Sequence, residues 1–220
     1  MNKMKERVTS LARLAGRLNA RAPYARTLYG LRPKLPALFL MSDETRMSDL
    51  KDIVPHLPKN TGIILRHYKW SFDVRLKLAQ SLMPVVKAHD HVLLIGADVR
   101  LCYQAGAHGV HLPESILKQP HLWSPLLAHK KRLILTASAH DQAALLRAQH
   151  YGVDAVFLSP VFETQSHKHA KTLGALRFTK FTRAVNLPVY ALGGVRNSSI
   201  RQLKESGAAG AGVIGALYED

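Results

Sequence analysis

Leu158-Ser-Pro-Val-Phe-Glu-Thr-Gln-Ser-His-Lys168 is followed about twenty residues later by Val189-Tyr-Ala-Leu-Gly-Gly-Val195, and then by Ala209-Gly-Ala-Gly-Val-Ile-Gly215. In each phrase a short apolar run breaks into small or polar residues. Glycine lacks a Cβ, so backbone N–H groups near it can close on a phosphate. In (β/α)8 barrels that site characteristically sits in the loops after strands seven and eight. Two glycine-bearing strand ends in succession therefore predict such a barrel, with an anionic ligand at its mouth.

Working outward from these phrases, eight apolar strand cores can be placed, near 37–41, 62–66, 92–95, 109–112, 133–137, 155–159, 189–192 and 211–214. They read as continuous apolar runs rather than as alternating ones, which is the pattern of parallel strands buried on both faces. Helical periodicity fills the gaps, with Val74, Leu78, Leu82 and Val85 in 71–88 and Ala144, Leu145 and Ala148 in 140–150. The phrases at 104–110, 150–156 and 205–211 each pass through a glycine into a strand, and such a recurring helix-to-strand connection implies repeated βα units. The expected fold is an α/β (β/α)8 TIM barrel over 36–220, preceded by a basic amphipathic extension over 1–35. Only six residues follow Ile214, so the eighth helix is expected to be truncated. The segment 4–20 places Val8, Leu11, Leu14, Ala15 and Leu18 on one side, and it is expected to pack on the barrel, in the vacant eighth position or across the base.

Composition narrows the function. A chain of 220 residues suits one hydrophobic core. The lone Cys102 allows no internal disulfide and no cysteine-based metal site, which fits a reduced, cytoplasmic setting. Lys or Arg interrupts every long apolar stretch, so no membrane span is expected. Of the net charge of +16, half comes from residues 1–34, where nine Lys or Arg face Glu6 alone. A transit peptide or a nucleic-acid arm would also be basic, but only Tyr24 and Tyr29 stand among the charges of residues 1–34, sparse beside the series of stacking aromatics that nucleic-acid binding uses. The expected partner is a small phosphorylated molecule, with no nucleic acid and no membrane. An incompletely covered barrel groove also suits a homodimer.

Polar residues at the C-terminal ends of barrel strands are the candidates for chemistry. Here Arg66 and Lys168 can neutralise a phosphate, Thr164 and Ser166 can donate to its oxygens, and backbone N–H groups around Gly193, Gly194 and Gly215 can complete a cradle. His140, in Thr136-Ala-Ser-Ala-His140, can take and return a proton near neutral pH; its alternative role is to cap the following helix alongside Ser138. His111 lies inside a strand and reads as a packed or hydrogen-bonded barrel residue. His167-Lys-His169 has no third ligand at metal-site spacing and reads as a cationic loop.

The phrases "AGAHGVHL" (105–112), "TASAH" (136–140), "DAVFLSPVFET" (154–164), "LPVYALGGV" (187–195) and "GAAGAGVIGAL" (207–217), in this order, resemble the thiamine phosphate synthase/TenI family of (β/α)8 barrels. The resemblance implies substrate or phosphate binding by Ser138, Thr164, Ser166, Gly194, Ile214 and Gly215. It also implies, for a synthase coupling a pyrimidine diphosphate to a thiazole phosphate, a Gln-Leu-Arg-Glu-Lys strand end, an Asn-Asp pair after strand three and a downstream Asp for diphosphate and magnesium. At those places this chain has Ile64-Leu-Arg-His-Tyr68, Gly96-Ala97 and Ile116. Ala97 and Ile116 have no oxygen side chain for magnesium. The other branch of the family, the TenI-like thiazole tautomerases, relocates a proton on a thiazole carboxylate phosphate and needs no diphosphate site. Its acid/base histidine corresponds to His140. The favoured expectation is this tautomerase-like isomerase, with His140 and Ser138 in the chemistry and no cofactor. The alternatives are a synthase, a transferase whose magnesium ligands have moved to Asp98 and Glu114, and a non-catalytic binder of thiamine-related phosphates.

Overall fold

Runs such as Val92–Gly96 and Ala155–Leu158 have no polar face, so each must be covered on both sides, and a closed sheet inside a ring of helices does that. In the computed structural model, which describes residues 2–20, 35–44, 50–129, 133–164 and 171–214, eight parallel strands form a closed barrel in chain order. They are β1 (Leu38–Met41), β2 (Gly62–Leu65), β3 (Val92–Gly96), β4 (Gly109–Leu112), β5 (Ile134–Ala139), β6 (Ala155–Leu158), β7 (Val189–Ala191) and β8 (Gly210–Val213). Closure is made by β1 against β8, with Phe39 opposite Gly212. Among the described residues the outer helices are α1 (Asn2–Asn19), α2 (Leu50–Ile53), α3 (Phe72–Ala88), α4 (Val99–Ala105), α5 (Glu114–Leu117), α6 (Pro120–His129), α7 (Gln142–His150) and α8 (Gly174–Arg183). Between β7 and β8 a single 3-10 turn, Ile200–Leu203, takes the place of a full helix. The fold is a (β/α)8 TIM barrel.

Two apolar layers hold it. Inside the barrel, Phe39, Phe157 and Tyr190 meet with ring centroids 5.1 to 5.2 Å apart, and the Tyr190 hydroxyl escapes isolation by donating to the Pro36 carbonyl at 2.8 Å. Met41, Ile64, Leu94 and Leu192 pack around them. Outside, residues such as Leu82, Leu101, Leu145 and Phe178 seal the helices onto the strands. The recurring helix-to-strand connection works as its glycine requires. Gly106 ends α4 in the left-handed region at φ 66°, returning its N–H to Cys102 and Tyr103, a conformation that costs a residue with a Cβ.

The N-terminal segment takes the eighth position. Helix α1 buries Val8, Leu11, Ala15 and Leu18 and lies against β8, β1 and the 3-10 turn, in the groove an eighth helix would cover. Asn19 donates to the Ala209 carbonyl at 2.6 Å just before β8, and Asn197 donates to the Arg7 carbonyl at 3.4 Å. No helix among the described residues is long and apolar enough to cross a membrane.

Candidate active site

The ends of β1, β2 and β3 form one side of the mouth, and it is closed by internal bonds. The Arg66 backbone N–H donates to Ser42 Oγ at 2.8 Å, its Nε donates to the Ser42 carbonyl at 2.7 Å, and its guanidinium lies 3.6 Å from Asp43. Arg66 thus ties the end of β2 to the end of β1. His67 follows at φ 27°, buried and stacked face to face on Trp70 at 4.2 Å; burial pushes its pKa below the ordinary histidine value. At the end of β3 the Tyr68 ring lies so close to Gly96 that a Cβ there would come within 2.8 Å of it. Arg75 reaches in from α3, donating to the Gly96 carbonyl at 2.8 Å and standing 3.9 Å from Asp98. Asp98 itself accepts from the Leu101 N–H at 2.8 Å as the N-cap of α4.

These residues do not fit a magnesium site. The ion prefers an octahedron of oxygens, with one or two carboxylates plus phosphate and water. Here the positions where the resemblance implies ligands are Gly96, Ala97 and Ile116, and the nearby Asp98 carboxylate is engaged by a helix terminus and an arginine. Among the described residues no group of three or more His, Cys, Asp or Glu side chains could hold a metal. Of the two alternative ligands, Asp98 is thus engaged, whereas Glu114 keeps one carboxylate oxygen without a hydrogen-bond partner.

The ends of β4, β5 and β6 are arranged differently. His111, fully inside the barrel, hydrogen-bonds to Thr136 Oγ1 at 3.0 Å through Nδ1 and to Ser138 Oγ at 2.9 Å through Nε2. Burial, with Arg66 adding to it, pushes its pKa down to about 3. It is the hydrogen-bonded barrel residue expected, and it holds Ser138. His140 stands above, with Nδ1 2.8 Å from the Ser159 carbonyl. A carbonyl only accepts, so Nδ1 carries the proton and neutral His140 presents a lone pair at Nε2. The ring is about half exposed, and Nε2 lies 3.8 Å from Glu114 Oε2. Helix α7 is capped by Asp141, which accepts from the Ala144 N–H at 2.7 Å, so capping by His140 and Ser138 is set aside.

On the third side, Gly193 and Gly194 adopt φ 86° and 64°. A Cβ on Gly194 would lie 2.2 Å from the Glu163 carbonyl oxygen, so the pair lets the loop after β7 lie directly on the loop after β6. Phe162 N–H donates to the Gly193 carbonyl at 3.0 Å, and Ser199 Oγ donates to the Gly194 carbonyl at 2.9 Å. Thr164 closes the described part of the β6 loop and Ile214 follows β8, both partly exposed. Ser166, Lys168 and Gly215 lie outside the described residues. Cys102 is buried, and desolvation pushes its thiol up to about 12, so it is no nucleophile at neutral pH.

A family description, thiamine monophosphate synthase (TMP-TENI), matches residues 40–217. The chain belongs to this family. A protein of Aquifex aeolicus named "Putative thiamine-phosphate synthase 2" is 30% identical over 189 residues, covering 84% of this chain and 100% of that protein. The thiamine-phosphate synthase of Clostridium tetani is 25% identical over 184 residues, covering 82% and 87%. Thiamine phosphate pyrophosphorylase from Pyrococcus furiosus superposes with a TM-score of 0.68 over 81% of this chain and 85% of that one; at 22% identity the likeness is one of fold.

Within the thiamine monophosphate synthase family frame, the barrel brings Ser138 and His140 together with two residues that the sequence did not single out in these roles. Ser159 supplies the carbonyl that sets the His140 tautomer, and Glu114 faces the other ring nitrogen. Their positions 114, 140 and 159 follow three neighbouring strands, β4, β5 and β6, so strand order was the signal that could have grouped them. Arg66, by contrast, sits at the mouth as expected but is bonded to Ser42 and Asp43.

Proposed function

We propose that this member of the family is a tautomerase-like isomerase that relocates a proton on a thiazole carboxylate phosphate, with His140 as the acid/base residue. The observation that carries this reading is the β3 end. Where coupling to a pyrimidine diphosphate would need metal-binding oxygens, the chain has Gly96, covered by Tyr68 and bonded by Arg75, followed by Ala97. Proton relocation needs none of that. In this reading the Nε2 lone pair of His140 takes the proton from one ring atom of the substrate, and the bonding electron pair joins the ring π system. The imidazolium then returns the proton to a second atom. The Ser159 carbonyl keeps the ring in place through both steps, and Ser138, steadied by the neutral His111, hydrogen-bonds to the substrate. The phosphate would rest on Thr164, Ser166, Lys168 and the backbone near Gly193, Gly194, Ile214 and Gly215.

A second reading, thiamine phosphate synthase, is favoured by the names of the relatives. The two are separated by incubating the protein with pyrimidine diphosphate and thiazole phosphate, with and without magnesium, and reading thiamine phosphate as thiochrome fluorescence. Parallel samples hold the thiazole carboxylate phosphate in deuterium oxide, where isomerisation is read by NMR. Deuterium relocation without thiochrome supports the tautomerase; magnesium-dependent thiochrome overturns it. Binding with neither product would mark a non-catalytic binder. His140→Ala is expected to reduce isomerisation by about 10²- to 10⁴-fold, the usual contribution of a positioned acid/base group, while leaving thermal stabilisation by the ligand in place. Equal loss of both would remove His140 from the chemistry.

A further inference from the structure

Three ionisable side chains, Lys118, Glu114 and His140, form a chain across the ends of β4 and β5. Glu114 opens α5 directly after Pro113, and its carboxyl is nine-tenths buried. One helical turn later Lys118 takes Oε1 at 2.6 Å. The other oxygen, Oε2, is buried with no hydrogen-bond partner and faces His140 Nε2 at 3.8 Å. Because the Ser159 carbonyl has already claimed the Nδ1 proton, a lone pair on Nε2 points toward a lone pair on Oε2. Two acceptors stand 3.8 Å apart, one of them buried, with no proton between them. A buried acceptor without a donor is costly, and the imidazolium N–H formed when His140 takes a proton is the donor that would satisfy it.

We propose that Glu114, anchored by Lys118, is the positioning residue for His140: its carboxylate stands beside Nε2 and stabilises the imidazolium formed during turnover. This rests on the tautomerase reading for its consequence in rate, though not for the pairing itself. The proton balance is closed. A substrate C–H bond breaks and an Nε2–H bond forms; in the second transfer that Nε2–H bond breaks and a bond to hydrogen forms at a second substrate atom, which restores the lone pair on Nε2 with no proton passing to Glu114. Among the described residues Lys118, just past α5, holds the carboxylate, and Asp141, next in sequence to His140, has its Oδ1 engaged by the Ala144 N–H. The residue touches the ring and not the substrate, so its effect belongs in kcat rather than in KM.

The test uses the full chain with Glu114→Gln, which keeps size and removes charge, Glu114→Asp, which keeps charge, and Lys118→Met, which frees the carboxylate. Glu114→Gln is expected to lower kcat by roughly 10- to 100-fold, within the range an acid/base histidine itself supplies, with KM and ligand-induced thermal stabilisation unchanged. Glu114→Asp should recover part of the loss, and Lys118→Met should fall between. A second readout does not need turnover. In protein labelled with ¹⁵N-histidine and brought to the acid form, the Nε2-bound proton of His140, assigned by its absence in His140→Asn, should be shifted downfield and slow to exchange in the wild type. In Glu114→Gln it should exchange rapidly. If that proton behaves alike in both proteins, the pairing is overturned. If the pairing appears but the wild type has no isomerase activity, the proposed function fails and the Glu114–His140 contact stands. A rise in KM equal to the fall in kcat would assign Glu114 to substrate binding and overturn the positioning role.

Discussion

Inside the barrel, His111 hydrogen-bonds to two hydroxyls, Thr136 on one ring nitrogen and Ser138 on the other. A neutral imidazole has one donor and one acceptor, so one hydroxyl must donate to the ring while the other receives. Protonation would place a charge in the barrel interior, away from solvent and under the field of Arg66, and this is why burial pushes the pKa down to about 3. The stability consequence has a definite sign. The unfolded chain titrates His111 near 6.5 and the folded one near 3, so the unfolded state binds more protons between those values. The contribution is fully present above pH 6.5 and is lost as pH falls through this window. His67, His91 and His108 are shifted in the same direction, each mainly by burial, and add to it. Thermal unfolding is therefore expected to show a falling Tm from pH 6.5 to pH 4, with a shallower slope in His111→Gln. A Tm flat across that range would contradict the buried, neutral ring. The loss expected from His111 alone is on the order of a few kcal/mol. His111 could be read as a bonded barrel residue from its place inside a strand, whereas its partners depend on which β5 side chains turn inward beside it. The Glu114–His140 contact was still less legible, because side-chain direction at two loop ends decides it and no spacing in the sequence encodes that.

Among the elements, the strands were the most legible, and all eight lie within one or two residues of the apolar runs that announce them. Burial on both faces leaves a strand sequence few options, so pattern and structure agree. Helix α1 was legible as an amphipathic helix, yet its docking site was open, since an apolar stripe declares that it will be covered and not by what. The groove between β8 and β1 settles it. Helices α5 and α6 were not anticipated: the first has four residues and the second contains Pro125, so neither shows a clear period. Asp98 drew attention as a carboxylate at the mouth and proves to be a helix cap, the role that an Asp just before an apolar run most often has. If α1 serves as the eighth cover, trimming its buried stripe should behave like a core mutation. Leu11 is 3% exposed, and Leu11→Ala is expected to destabilise the fold by about 2 to 4 kcal/mol, read as a lower midpoint in urea. A change below about 0.5 kcal/mol, ordinary for surface positions, would mean that the helix does not seal the barrel.

For the whole molecule, the net charge of +16 shapes behaviour more than it shapes fold. The described face of α1 exposes Lys3, Lys5, Arg13 and Arg17, and Arg201 and Lys204 stand exposed on and beside the neighbouring 3-10 turn. Like charges gathered on a compact body oppose compaction, and salt screens them over about 10 Å at 0.1 M. Raising sodium chloride from about 0.02 to 0.2 M is thus expected to raise Tm. A falling Tm would mean that attractive ion pairs outweigh the repulsion.

The pairing of β1 with β8 also sets an order of events during synthesis. Strand β1 meets its partner β8 about 170 residues later, and the buried stripe of α1 meets it about 190 residues later. At roughly 5 to 20 residues per second, the apolar stripe of α1 waits on the order of 10 to 40 s for the β8 surface that helps to cover it. Until then the ribosome carries a basic, amphipathic helix without the β8 edge of the sheet beneath it, and the barrel can close only after β8 has emerged.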